Sequence, residues 1–175
     1  MFQKQEDRHV RHEKSPGIAH AAVLLTVLFL AGSSAALAGP AEETEERVLR
    51  IHDWKTGEVY AEVPARVGSR LFFGWVHSLE KIPWNEYFHV DAENNLVLDA
   101  IDFPAFGAGI PENKGRICYV KDGLIHMEEI GQVFPELHWL NSQVFTRDIS
   151  LDGALVARGA DLPQHARLRL VIEKK

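Results

Sequence analysis

His77 and Glu86 are the residues whose types and setting most invite chemistry. Both lie in FFGWVHSLEKIPWNEYFHV, Phe72 to Val90, each inside an aromatic and β-branched run. An imidazole exchanges a proton near neutral pH, and a carboxylate accepts hydrogen bonds or pairs with a cation. Brought together, each favours the other's ionised form while desolvation opposes it. The same two groups also serve as a cross-strand pair that fixes register, a purely structural role. Ser78 follows His77 directly, and strand geometry sends adjacent side chains to opposite faces, so this spacing does not build a serine–histidine couple.

FPAFGAGIPE, Phe103 to Glu112, holds the second candidate. Gly107, Ala108 and Gly109 allow positive φ and close approach of backbone. Their successive N–H groups can form a concave nest for an anion. The stretch reads equally as an irregular turn closed by Pro111. His126 and Glu128 share one strand face and are two of the ligands a metal would need, but spacing identifies no third. His89 and His138 read as partly buried histidines bonded to backbone. Cys118, the single cysteine, reads as a small buried apolar residue at the edge of RICYV. No G-x-S-x-G, H-E-x-x-H or P-loop glycine pattern is present, and no cofactor is expected.

A hairpin would position His77 and Glu86. With Glu80–Pro83 as the connection, Leu79 faces Trp84, Ser78 faces Asn85 and His77 faces Glu86. Trp75 then faces Phe88, and Phe73 faces Val90. Odd positions of the first strand and even positions of the second make one apolar face, and His77 with Glu86 extends it at the turn end as direct cross-strand neighbours.

The rest of the chain repeats this idiom. Glycines and Asp-Gly or Asn-Asn steps recur about every ten residues, the turn spacing of an all-β domain. Short β-rich runs lie between them, from RVLRIHDW to RLRLVIE. Asp122-Gly123 between apolar runs signals a tight hairpin. GQVFPELHWLN is the one helical candidate, interrupted by Pro135. The expectation is an all-β fold, a single antiparallel β-sandwich or flattened barrel over residues 47–175.

Residues 1–38 differ in kind. Four basic residues precede AAVLLTVLFLA and the small-residue exit ALA at Ala36–Ala38, the pattern of a secretory signal. Residues 18–38 carry no Asp, Glu, Lys or Arg, so a membrane anchor is the competing reading. An acidic linker, residues 39–46, follows. Both readings place the body outside the cytoplasmic membrane, exported and periplasmic or tethered to the inner membrane. The net charge of −6 excludes a nucleic acid partner held by phosphate contacts.

FGWVHSLEKIPWNEYFHV followed by FPAFGAGIPE resembles the domain of unknown function (DUF) family 1850. His77-Ser78, Glu86 and Gly107-Ala108-Gly109-Ile110-Pro111 match its pattern. Trp84 departs from it, standing where a β-branched residue is more typical. The resemblance implies no activity. It implies a genomic partnership with tripartite ATP-independent periplasmic (TRAP) transporters of the TAXI type. The expectation is therefore a periplasmic accessory or binding domain. Its site would be His77, Ser78, Glu86, Gly107, Ala108, Gly109 and Pro111. Its partners would be a transporter membrane or solute-binding subunit and a small anionic ligand. A hydrolase or metal enzyme built on the same site and a structural envelope module are the alternatives.

Overall fold

A computed structural model of the protein describes residues 46–104 and 114–175. The chain divides into two units, Met1–Pro40 and Ala41–Lys175, and the described residues all belong to the second. The signal or anchor segment and the Gly107–Pro111 loop lie outside the described residues.

Eleven strands build two antiparallel sheets, and no α-helix occurs among the described residues. In chain order they are β1 (Arg47–Asp53), β2 (Val59–Ala65), β3 (Arg70–Val76), β4 (Pro83–Val90), β5 (Leu96–Phe103), β6 (Ile117–Lys121), β7 (Leu124–Phe134), β8 (Glu136–Leu140), β9 (Thr146–Leu151), β10 (Ala154–Arg158) and β11 (Arg167–Lys174). The smaller sheet runs β2-β1-β11-β8 and the larger β10-β9-β3-β4-β5-β7-β6. The fold is thus a sandwich with open edges, not a closed barrel.

Period-two alternation decides which side chains face inward. Leu49, Ile51, Leu168 and Leu170 of the small sheet and Leu71, Phe88, Leu98, Ile101 and Met127 of the large one are all buried and belong to one core cluster. Burying side chains of this size stabilises the fold by roughly 1.5–3 kcal/mol each before chain entropy is counted. The tight turns follow their sequence signals. Asp122 and Gly123 both have positive φ (53° and 79°), as do Asp152 and Gly153 (50° and 81°). These are the two-residue turns whose twist matches that of the strands.

The helical reading of GQVFPELHWLN is overturned. Residues up to Phe134 finish β7 in the large sheet, and Glu136–Leu140 form β8, paired with β11 in the small one. Pro135 marks the corner where the chain changes sheets. It has no N–H to give to either ladder, so a ladder ends there without an orphaned donor. The five residues after it alternate, with Leu137 and Trp139 packed against the core and His138 and Leu140 exposed.

Cys118 is also corrected. It is exposed on β6, an edge strand on which all five residues are exposed.

Candidate functional site

The β3–β4 hairpin has a different register from the one the sequence suggested. Val76 pairs with Pro83, Trp75 with Trp84, and Phe73 with Glu86. The connection is residues 77–82, closed by His77 N–H donating to Ile82 O (2.8 Å) and Lys81 N–H donating to His77 O (2.8 Å). Pro83 is a strand residue, at the first position, where a missing donor is tolerated. Lys81, with φ 58°, takes up the left-handed step instead. The inward face is the expected one, because the shift between the two registers is an even number of residues. His77 and Glu86 are nevertheless not direct neighbours. The Trp75–Trp84 pair, with ring centroids 5.4 Å apart, lies between their positions in the ladder.

His77 packs its ring against both indoles, at 5.8 Å from Trp75 and 6.0 Å from Trp84. Its Nδ1 accepts the Glu80 N–H at 3.3 Å, which leaves Nε2 to carry the proton of a neutral ring. His77 thus closes the hairpin tip, as a structural residue would.

Glu86 has a different setting. It lines a cleft of about 500 Å³ at one end of the sandwich, a volume within the range of small-molecule sites. Phe73 and Trp75 from β3, Phe134 from the end of β7, Leu137 and Trp139 from β8, and Phe145 from the segment before β9 supply its apolar walls. Ser78 lines it too and is exposed at the hairpin tip. The Trp84 indole N–H donates to Glu86 Oε1 at 3.2 Å. Burial pushes the Glu86 carboxyl above the usual carboxylate range, while the Trp84 bond, the charge of Lys114 and the Trp75 indole pull it partly back.

The wall around Phe145 is anchored in two ways. Val76 N–H donates to Phe145 O at 2.7 Å, and the Lys81 ammonium sits 4.4 Å from the Phe145 ring centroid. Beyond it, the fully buried Asn141 donates from Nδ2 to the carbonyls of Gly159, Leu162 and Pro163, each at 3.1 Å. Gly159 is required here, since a Cβ would come within 2.2 Å of Thr146 O.

The remaining candidates separate into structural roles. His126 stacks on Tyr119 at 5.0 Å, and the Tyr119 hydroxyl donates to Glu128 at 2.6 Å. Among the described residues no group of three or more His, Cys, Asp or Glu side chains could hold a metal ion. His89 Nδ1 bonds Asp99 at 2.8 Å and His138 Nε2 bonds Glu136 at 2.6 Å, so both histidines partner carboxylates rather than backbone. Of the sequence candidates, the cleft gathers Ser78 and Glu86 and sets His77 against its indole wall.

Residues 71–156 match the model of the domain of unknown function family DUF1850. The match supports membership of that family. No curated protein and no solved structure matches the chain. The DUF1850 span starts at the beginning of β3 and ends within β10. It therefore holds every cleft-lining residue named above, while β1, β2 and β11 of the small sheet fall outside it.

The cleft's far wall was missed in the sequence. Leu137 and Trp139 were hidden by the helical reading of their segment. The signal was present in the strict alternation of ELHWL after Pro135, which a strand explains and a helix does not.

Proposed function

We propose that this DUF1850 protein is a binding domain, exported to the periplasm, that receives a small molecule in the Glu86 cleft and serves a TRAP-type (TAXI) transporter as an accessory. The observation that carries the binding part is the cleft itself. Aromatic walls from both sheets surround a carboxyl group that makes no ion pair among the described residues. Such a site is apolar with a few placed polar groups, as ligand sites generally are. Cleavage chemistry has less support, since no hydrogen bond joins Ser78 to a base among the described residues and His77 Nδ1 is taken by the Glu80 amide. The transporter partnership and the export are supported by the family resemblance and by the basic–apolar–small pattern of residues 1–38.

Leu140 lines the cleft and is 60% exposed, so Leu140→Trp adds bulk at the rim without entering the core. In a strain deleted for the protein, the wild-type gene should restore solute uptake by the neighbouring transporter and Leu140→Trp should not, although the purified variant melts like wild type. Uptake that does not depend on the protein refutes the transporter role. Full uptake with Leu140→Trp refutes the role of the cleft.

A further inference from the structure

We propose that the cleft selects an organic cation, an amine or ammonium group carried on an apolar body, with Glu86 as its counter-ion. This inference rests on the cleft being the binding site. Among the described residues the ionisable side chains lining it are Glu86, Glu136 and His138, with neither Lys nor Arg. Glu136 is already committed. It pairs with the Arg169 guanidinium and accepts from His138, and the His138 bond followed by the Arg169 charge holds its carboxyl below the usual range. Glu86 is left with the Trp84 indole N–H at 3.2 Å, the Trp75 indole and the charge of Lys114, with no cation in ion-pair contact among the described residues.

A carboxylate surrounded by aromatic rings is a matched site for a positive charge, because ring faces attract cations and desolvation strengthens the attraction. The Phe145 ring already takes one cation, the Lys81 ammonium at 4.4 Å, so this chemistry is in use at the cleft's own wall. A bare metal ion fits poorly. Hard cations need several oxygen ligands, and one uncommitted carboxyl does not supply them. Among the described lining residues a small anion would meet two carboxyl groups and one basic side chain, His138, while the nearby Lys81 ammonium is already engaged on the Phe145 ring. The volume of about 500 Å³ far exceeds an ammonium ion and calls for a substantial apolar body.

Three probes of nearly equal shape separate charge from bulk: 2-phenylethylammonium, 2-phenylethanol and 3-phenylpropanoate. Binding to the full-length protein is followed at neutral pH by calorimetry and by tryptophan fluorescence, which Trp75 and Trp139 in the walls should report. The cation should bind at least about tenfold more tightly than the alcohol, and the carboxylate more weakly than either. Glu86→Gln, near-isosteric and checked for an unchanged melt, should abolish the preference for the cation while leaving the alcohol's affinity unaltered. Tighter binding of 3-phenylpropanoate, equal affinities in wild type, an unchanged cation preference in Glu86→Gln, or no binding of the cation at millimolar concentration overturns the proposal. Leu140→Trp distinguishes the two levels. If it leaves the binding of every probe intact, the cleft is not the site. If it blocks binding while Glu86→Gln changes nothing, the cleft stands and the cation preference falls.

Discussion

Asp102 and Glu86 stand close together on neighbouring strands of one sheet, and their environments are opposite. In the ladder Asn85 pairs with Asp102, and the next position pairs Glu86 with Ile101. Asp102 is only 5% exposed, yet the protein meets its needs. It accepts from Asn85 Nδ2 at 2.7 Å and from the Tyr87 hydroxyl at 2.8 Å. Glu86 points the other way, into the cleft, where its only donors among the described residues are indoles, Trp84 at 3.2 Å and Trp75. Burial is therefore a poor guide to a working carboxylate. A buried acid whose acceptors are filled by its own sheet holds the sheet together. An acid left undersupplied in a cavity is available to something else.

The sharpest way to break the comparison is to remove Asp102. Asp102→Ala should cost about 2–4 kcal/mol, because the Asn85 amide and the Tyr87 hydroxyl both lose their acceptor in a buried place. Guanidinium unfolding measures it, and a cost near zero would mean that the pairing is incidental. Tyr87→Phe removes one of the two donors and should cost about 1 kcal/mol by the same measurement. Burial, then the Asp102 bond and its charge, push the Tyr87 phenol up to about 12. Its contribution to stability is complete below the unfolded value near 10 and is lost as pH rises through about 12. A spectrophotometric titration should show one tyrosine ionising late, and Tyr87→Phe should delete that component.

Glu86→Gln is predicted to go the other way and lose no stability. Its carboxyl is raised in the folded state, so the folded protein holds that proton more tightly than the unfolded chain. The associated stability is complete below the ordinary Glu range and is lost as pH rises through the raised value. Urea unfolding from about pH 4 upward to neutral should therefore show wild type losing ground to Glu86→Gln as pH increases. A variant that is much less stable than wild type at neutral pH would place Glu86 in the same class as Asp102. The smallest effect is expected at the sheet edge. Tyr119→Phe loses the hydroxyl bond to Glu128, but both groups meet water there, and the change should stay within about 0.5 kcal/mol.

Much of the fold was legible. The all-β class, most strands and the Asp122-Gly123 hairpin followed from alternation and turn residues, which are local signals. The hairpin's register was not. Reading Pro83 as loop placed His77 opposite Glu86. The chain instead spends six residues on the turn, with Lys81 in the left-handed region, and begins β4 at Pro83. Both registers put the same residues on the core face, so the hydrophobic pattern could not choose between them. Cys118 was misplaced for a related reason. RICYV has the composition of a buried strand, and only its position at the edge of the large sheet leaves it exposed.

By itself, then, the sequence determined which segments become strands, which face of each is apolar, and that His77-Ser78 and Glu86 stand on one hairpin. Periodicity and turn chemistry act within a few residues and need no partner. The tertiary structure alone decided what Glu86 faces. Trp139 and Phe145 lie more than fifty residues further along the chain, and Pro135 passes β8 to the other sheet before it can form the opposite wall. Whether a carboxyl is satisfied, as Asp102 is, or left undersupplied in a cleft depends on groups brought in from such distances, and no local pattern in the sequence specifies which groups those are.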